Sequence, residues 1–186
     1  MDQDDQDIGS FIYDWGRTMI RPRKLKYLTE KNRNNNYRFR TWLKMNAESE
    51  DLDQRFLRLH RELFENYDCS RCRNCCKQYY GSIPAADINK DADGLNMTVP
   101  EFIDKYLDAE KGMEEGAFIT KDKPCNFLLE DGSCLLGDNK PNNCVKYPYT
   151  DQPDRRGSLL SFLETISVCP VAYEIWERLK EDYRWY

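Results

Sequence analysis

The sequence contains a single histidine, His60, and no run of eighteen consecutive apolar residues. Hydrolase-type metal sites that need two or three imidazole ligands therefore cannot be built from this chain. A membrane-spanning helix needs an apolar stretch of about that length, so we expect no such helix and no membrane partner. The first seven residues are acidic and include no apolar stretch, which predicts no secretory signal and a cytoplasmic location.

Cysteine, by contrast, is abundant. The chain has 186 residues, of which 40% are hydrophobic and 33% are charged, and eight are cysteines. This length and composition suit one domain, or one domain with an appendage. In a cytoplasmic protein, eight thiols favour metal binding over a disulfide framework.

The charge is distributed unevenly along the chain. Ten lysines and arginines but only one acid, Glu30, lie between Arg17 and Lys44, which gives this segment a charge of 10 − 1 = +9. Because the net charge is −5, the remainder carries −5 − 9 = −14. A basic segment with interleaved aromatic residues such as Tyr27 and Tyr37 can bind a nucleic-acid backbone and stack on bases. The alternatives are a basic arm that folds against the acidic body, a solvated helix face, or a surface for a protein partner.

The pattern of the first 47 residues predicts an extension with a short helix over residues 37–45. Residues 48–186 are predicted to form the cysteine-rich domain. A stripe of apolar residues with helical spacing begins after Ser49, the expected N-cap, and predicts a long helix that contains His60. We expect His60 to be a packing or surface residue of that helix.

Further helices are predicted at three places. One runs over residues 84–92 with Gly94 as its C-cap, one starts at a Thr98–Glu101 capping box, and one starts at Cys169-Pro170. Residues 117–120, 125–129, 133–136 and 158–168 are predicted strands. The sequence thus predicts an α+β fold: a small, helix-rich, metal-stabilised domain with a short β ribbon and a basic N-terminal extension.

Four cysteines lie within eight residues, at Cys69, Cys72, Cys75 and Cys76. Successive Cys-x2-Cys steps let three thiolates converge on a zinc ion or on three corners of an iron–sulfur cluster. The neighbouring Cys75 and Cys76 do not both easily ligate one small ion, so one of them can serve a second site.

The other four cysteines are Cys125, Cys134, Cys144 and Cys169. Each is expected at a turn or at the end of an element, where a ligand is easily presented to a metal. Thiols that only pack in a core lie more often in the middle of an element. We therefore include these four as candidate ligands.

Together these features resemble a known family. The Cys-x2-Cys-x2-Cys-Cys cluster is followed by Asp87-Ile88, by Pro124-Cys125-Asn126-Phe127-Leu128, by Gly132-Ser133-Cys134-Leu135 and by Lys140-Pro141-Asn142-Asn143-Cys144. This order is similar to the CxxCxxCC, or YkgJ-like, cysteine-cluster family of zinc- or iron-chelating domains, over about residues 67–170. The resemblance implies that all eight cysteines are metal-chelating positions.

The chain departs from the family pattern in a few places. Arg73 stands where the family commonly has glycine, Lys140 replaces an arginine, and Leu136-Gly137 replaces a step that contains tyrosine. These changes bear on the identity of the metal more than on metal binding.

Three functional interpretations stay open. The first is a cytoplasmic metalloprotein with iron, as an iron–sulfur cluster, and a redox or modification-linked role, favoured because eight thiolates exceed what one zinc requires. The second is a structural-zinc module whose basic arm recruits nucleic acid or a protein. The third follows from the family's larger members, which include flagellin lysine N-methylases, although the chain has no Gly-x-Gly loop for a nucleotide-type cofactor. Enzyme activity and catalytic residues are left undetermined.

Overall fold

The computed structural model describes residues 19–111, 113–114 and 116–186. The acidic residues 1–7 and Arg17 lie outside the described residues. The described residues form two compact units: residues 19–72 with 148–186, and residues 73–147. In the described part of the chain, no helix is long and apolar enough to span a membrane.

The first unit is helical. Its helices are α1 (Pro22–Lys31), α2 (Arg33–Asn46), α3 (Ser49–Phe64), α4 (Cys69–Cys72), α9 (Arg155–Thr165) and α10 (Pro170–Asp182). The predicted stripe of α3 is confirmed, because Leu52, Phe56, Leu59 and Leu63 are all buried. The cap position of α3 is Glu48 rather than Ser49, so the predicted cap was one residue late.

Helices α2, α9 and α10 contribute the remaining large side chains of this core. Phe39 of α2 meets Trp176 of α10 edge to face, with their ring centroids 4.9 Å apart. Phe162 of α9 meets Phe56 of α3 in the same way, at 5.0 Å. Edge-to-face contacts add to the free energy gained from burying the rings. The basic segment thus contributes the buried Leu25, Phe39 and Leu43 to the first unit, while the predicted boundary at residue 47 remains a prediction.

The strand predicted at residues 158–168 is wrong, because this segment lies largely in α9. Its apolar residues Leu159, Phe162 and Ile166 are buried at helical spacing. The Asp154 carboxylate caps the helix by accepting a hydrogen bond from the Gly157 N–H at 3.2 Å. A short apolar run does not distinguish strand from helix, and here the cap and the spacing favour the helix.

The second unit combines short helices with a small sheet. Its helices are α5 (Asn74–Gln78), α6 (Ile88–Gly94), α7 (Val99–Tyr106) and α8 (Asn142–Lys146), with a 3-10 turn at Gly137–Asn139. The strands β1 (Ser82–Pro84), β2 (Met113–Glu114) and β3 (Ala117–Ile119) form an antiparallel sheet in the order β1-β3-β2. The predicted α+β, helix-rich fold class is therefore confirmed.

Local predictions in the second unit succeed where a cap or turn determines the backbone. The capping box is confirmed, since the Thr98 and Glu101 side chains each accept from the other's backbone N–H. Residues 125–129 and 133–136 do not form strands but meet in one bridge, Leu128 to Cys134, around the turn at Gly132. The helix predicted at residues 84–92 begins later, at Ile88, because Pro84 belongs to β1. Gly94 is not a left-handed cap, because it is the last residue of α6 and does not have a positive φ. A Cβ at this position would lie 2.3 Å from Asn139 Nδ2, so the close approach of Asn139 requires glycine here.

The core of the second unit is small. It consists of seven buried residues contributed by β1, α6, α7 and the loops on either side of Gly132: Ile83, Ile88, Ala92, Phe102, Leu107, Phe127 and Leu136. Phe102 and Phe127 stack with their ring centroids 5.7 Å apart. Nine partly buried apolar side chains pack against these seven residues, so the fully buried part of the core is small for a unit of this length.

Asn36 is the buried polar residue that joins α2 to α10 in the first unit. Its Oδ1 accepts hydrogen bonds from Trp176 Nε1 at 3.0 Å and from Lys180 Nζ at 2.8 Å. Asn36→Ala removes the only acceptor shown for the indole N–H, and a buried donor without a partner is costly. We expect the free energy of unfolding in urea to fall by about 2 to 3 kcal/mol.

Asn35→Ala is the matched control for this substitution. Asn35 is exposed and accepts one hydrogen bond, from Trp185 Nε1 at 2.9 Å. We expect its replacement to change the free energy of unfolding by less than about 0.5 kcal/mol. Equal effects of the two substitutions would contradict the role assigned to Asn36.

Candidate metal centre

The eight cysteines form no disulfide and are divided between the two units. The second unit contains five of them: Cys75, Cys76, Cys125, Cys134 and Cys144. The first unit contains three: Cys69, Cys72 and Cys169. Each group is described in turn.

Four segments of the second unit carry its thiols. Cys75 and Cys76 lie side by side in α5, with their Sγ atoms 3.9 Å apart. The N–H of Cys125 donates a hydrogen bond of 2.8 Å to the carbonyl of Cys76, which ties the loop after β3 to α5. Cys134 lies at the bridge with Leu128, and Cys144 lies within α8. Backbone hydrogen bonds therefore fix most of the segments that present these thiols.

The thiol of Cys144 interacts electrostatically with those of Cys125, Cys76 and Cys134. Desolvation of its sulfur, followed by these neighbouring thiols, raises the pKa of Cys144 to about 12, although the residue as a whole is exposed. Burial likewise raises the pKa of Cys125, and Cys76 and Cys134 add to that effect. Four thiols are thus close enough to oppose one another's ionisation. We call Cys76, Cys125, Cys134 and Cys144 the four-thiol group.

Cys76 is the exception within the four-thiol group. A hydrogen bond from Cys75 is the largest cause that lowers the pKa of Cys76, to about 6, and the positive charges of Arg73 and Lys140 add to it. A thiol with this pKa is largely ionised at neutral pH, and the thiolate is the form that binds metal. Cys76 is therefore the thiol best prepared to capture a cation.

Arg73, which precedes α5, adopts a left-handed backbone conformation with φ of 49°. This conformation is strained for every residue with a Cβ and easy for glycine. The observation gives a physical reason for the glycine that the family commonly has at this position. In this chain the arginine accepts the strain and supplies a positive charge beside Cys76.

Asp87 is a buried carboxylate whose contacts the pattern of cysteines does not reveal. It is buried, and its carboxylate accepts two hydrogen bonds from Asn142, from the backbone N–H at 2.8 Å and from Nδ2 at 2.9 Å. Asn142 is the first residue of α8, two residues before Cys144. Asp87 thus holds the start of the helix that presents this thiol.

Asp91 is a second carboxylate that sequence reasoning missed. It is fully buried, and neither of its oxygens has a hydrogen-bond partner among the described residues, although Lys90 Nζ lies 3.5 Å from Oδ1. Burial raises the pKa of Asp91, and its charge acts on Cys144. In sequence it is one acid among many, so only the fold could identify it.

In the first unit, Cys69 and Cys72 lie at the two ends of the single-turn helix α4. Cys169 is buried at the N-cap of α10, where its Sγ accepts a hydrogen bond from the Ala172 N–H at 3.5 Å. Burial, and then the nearby Cys69 and Cys72, raise the pKa of Cys169 to about 12, against the effect of this hydrogen bond. We call Cys69, Cys72 and Cys169 the three-thiol group.

Tyr67 belongs with the three-thiol group. Its hydroxyl makes a hydrogen bond with the side chain of Cys72 and interacts electrostatically with Cys169 and Cys69. Burial is the largest cause that raises the pKa of Tyr67 far above its usual value, so the phenol stays protonated and its O–H is the donor toward Cys72. His60, in contrast, is held by Thr150, with Nδ1 2.8 Å from Oγ1, and by the ring of Phe64.

Proximity alone does not complete a coordination shell. Within the described ranges, no three Cys, His, Asp or Glu side chains are arranged so that they could hold a metal ion as they stand. The donor chemistry nevertheless fits zinc and iron, since both bind thiolates well. Rotation of the side chains about χ1 would have to bring the sulfurs together on binding. Ligation by each of the eight cysteines therefore remains a prediction.

A comparison with family models agrees with the donor chemistry. The model of CxxCxxCC, described as a "putative zinc- or iron-chelating domain", matches residues 68–170, more than half of the chain. The chain belongs to the CxxCxxCC family. No curated protein and no solved structure matches the chain.

Family membership confirms several predictions made from the cysteine pattern. As a member, this chain contains a zinc- or iron-chelating domain, which agrees with the predicted metal binding and with both metals named. The match begins one residue before Cys69 and ends one residue after Cys169, so it spans all eight cysteines. The relation to flagellin lysine N-methylases remains a prediction.

Asp87→Ala tests whether this carboxylate positions Cys144. The substitution removes both oxygens that accept hydrogen bonds from Asn142, so the start of α8 would no longer be held in place. We therefore expect the affinity for metal to fall 10- to 100-fold, as is typical when a group that supports a ligand is removed. The measurement is competition for zinc with a chromophoric chelator. Asp93→Ala, which removes an exposed carboxylate from α6, the helix that Asp87 precedes, is the control and should leave the affinity unchanged.

Proposed function

We propose that the second unit is a metal–thiolate centre in which the four-thiol group binds one metal. The observation that carries this proposal is that thiols from four separate segments interact electrostatically around Cys144. Ionising several of these thiols side by side is unfavourable unless a cation compensates their charge, and the thiolate is the form that binds a metal. The family's description as a zinc- or iron-chelating domain supports the same conclusion.

We propose zinc as this metal, in a structural role. The sequence-based preference for an iron–sulfur cluster rested on the eight thiolates, which exceed the number that one zinc ion requires. The four-thiol group considered by itself matches the tetrahedral Cys₄ set of structural zinc sites. The same four thiolates can also hold one cluster, so the metal has to be measured.

The small core of the second unit supports a structural role. The core cluster of residues 73–147 has seven buried apolar residues with partly buried side chains packed against them, and short units with such cores usually need a metal or disulfides for stability. The five cysteines of this unit form no disulfide, so the proposed metal would be the link between the segments that carry them. Metal binding would then contribute directly to the free energy of folding.

The exposed basic surface of α1 and α2 favours a second candidate function. Tyr27 is 67% exposed and Tyr37 is 44% exposed, and exposed lysines and arginines flank both. The Arg33 guanidinium lies 5.9 Å from the centre of the Tyr37 ring. Solvent-exposed tyrosines among cations can stack on bases while the cations contact phosphates. We propose single-stranded nucleic acid as the partner of this surface, with an acidic protein as the alternative.

A redox or modification-linked role, and the methylase-like activity, rest on the sequence alone and stay hypotheses. They would become the leading interpretations if the purified protein contained iron and acid-labile sulfide. Anaerobic purification followed by an absorption spectrum and by metal and sulfide analysis therefore tests the proposed zinc. We expect a colourless protein that contains zinc.

Metal removal should unfold the second unit selectively. Because its core is small, we expect a strong chelator to abolish the protection of amides in residues 73–147 from hydrogen exchange. The amides of α3 and α10, which lie over a larger apolar core, should keep their protection. The measurement is hydrogen–deuterium exchange with mass spectrometry. Cys125→Ser combined with Cys144→Ser should reproduce the effect without chelator, and full protection in the stripped protein would contradict the structural role.

Charge reversal on α1 tests the second candidate function. Lys24→Glu with Lys31→Glu should weaken binding of a fluorescein-labelled 20-mer of oligouridine and reduce the slope of log K against log salt by roughly 1.4, about 0.7 for each lost phosphate contact. The exposed pair Lys105→Glu with Lys146→Glu is the control of equal charge change. Equal losses in both pairs, or tighter binding of a polyglutamate peptide, would contradict the nucleic-acid partner.

A further inference from the structure

Trp185, which follows α10 in sequence, lies against the basic helix α2. Its ring centroid is 5.5 Å from that of Phe39 and 6.0 Å from that of Trp42, and its ring is tilted against both. Its backbone N–H donates a hydrogen bond of 2.8 Å to the carbonyl of Lys180. The backbone and one side of the indole are therefore fixed within the first unit.

The surroundings of Trp185 differ from those of Trp176, the tryptophan within α10. Trp176 is fully buried, and its indole N–H donates to the buried Asn36. Trp185 is partly exposed, and its indole N–H donates to the exposed Asn35 at 2.9 Å. A ring that is held firmly but keeps part of its surface in water suits an interface, where one part of the side chain packs and another meets a partner.

The charge beside Trp185 is positive. The Arg38 guanidinium lies 5.9 Å from the centre of its ring, and within the described ranges Arg38 forms no salt bridge. Helices α1 and α2 together contain eight lysines and arginines but only one acid, Glu30. A guanidinium can stack on a base or pair with a phosphate, so this charge favours a partner that has both.

Trp185 and Tyr37 lie on different sides of α2. Asn35 and Arg38, which contact Trp185, are three positions apart and share one side of the helix. Tyr37 is two positions from Asn35, which at about 3.6 residues per turn places it on the opposite side. Tyr37 is 44% exposed and has its own guanidinium, that of Arg33. A strand that crosses α2 would meet an aromatic ring with a guanidinium on each side.

We propose that Trp185 is a base-stacking residue for single-stranded nucleic acid and that Asn35 is the positioning residue that orients its indole. This inference rests on the second candidate function, because it assigns the same partner, and it adds the segment after α10 to the binding surface. Stacking on an indole depends on the flat face that every base has, so this contact does not select a base sequence.

The experiment compares two fluorescein-labelled strands binding to the full-length protein: a 20-mer of oligouridine and an abasic strand of the same length and charge. Trp185→Leu keeps an apolar side chain against α2 but removes the flat ring. We expect the variant to bind oligouridine about tenfold more weakly, because one stacked base is lost. The slope of log K against log salt should not change, since no phosphate contact is removed. The abasic strand should bind the variant and the unsubstituted protein equally.

Three further variants control for structure. Trp185→Phe retains an aromatic plane and should bind oligouridine within about threefold of the unsubstituted protein. Asn35→Ala should weaken binding about threefold at an unchanged salt slope, although it leaves the free energy of unfolding in urea nearly unchanged. Tyr80→Leu removes a tyrosine of the second unit that is 40% exposed, and it should leave the affinity unchanged. An unchanged affinity in Asn35→Ala would overturn its positioning role.

The possible results separate this inference from the second candidate function. If Lys24→Glu with Lys31→Glu weakens binding of oligouridine but Trp185→Leu does not, the stacking role is overturned and the second candidate function stands. Equal losses of affinity for the oligouridine and abasic strands in Trp185→Leu would also overturn stacking. No binding of oligouridine by the unsubstituted protein, or tighter binding of a polyglutamate peptide, would overturn the nucleic-acid partner itself. A loss confined to oligouridine, at an unchanged salt slope, supports the inference.

Discussion

The cost of ionising the thiols of the four-thiol group is the constraint on which the proposed metal centre depends. Burial of the Cys144 sulfur, then the neighbouring thiols, and then Asp91 raise the pKa of Cys144, so its proton is hard to remove. Protonated thiols do not repel one another, but they are poor ligands. A bound divalent cation would offset the cost of removing these protons and would link the segments that carry the thiols, so folding of the unit would be coupled to metal binding.

The charge on Arg73 acts in the same balance. Its backbone lies in the left-handed region, which costs a non-glycine residue about 1 to 2 kcal/mol. The guanidinium is one of the two positive charges that stabilise the Cys76 thiolate. A glycine here would relax the backbone and leave Cys76 with less compensation for its charge. Arginine in place of the family's usual glycine at residue 73 therefore makes the Cys76 thiol easier to ionise.

The sequence predicts those features that local chemistry determines. The α3 stripe, the Thr98 capping box and the start of α10 at Cys169-Pro170 all follow from side chains near in sequence. Residues 158–168 were wrongly predicted as a strand. The Asp154 cap that starts α9 has a left-handed backbone, which the sequence pattern does not indicate. The division of the cysteines was equally hidden, since it depends on contacts over about a hundred residues. The adjacent Cys75 and Cys76 indicated that more than one metal site was possible. They did not indicate which distant thiols lie near which of these two cysteines.

The two units differ in how much of their stability apolar burial can provide. The first unit buries Phe39, Phe56 and Trp176 among its helices, and Asn36 gives the buried indole N–H a hydrogen-bond acceptor. Such a core can hold its helices together by apolar burial alone. The second unit has a smaller set of fully buried side chains, so the proposed metal would contribute a larger share of its stability. Folding of the second unit would then depend on the supply of metal, whereas folding of the first unit would not.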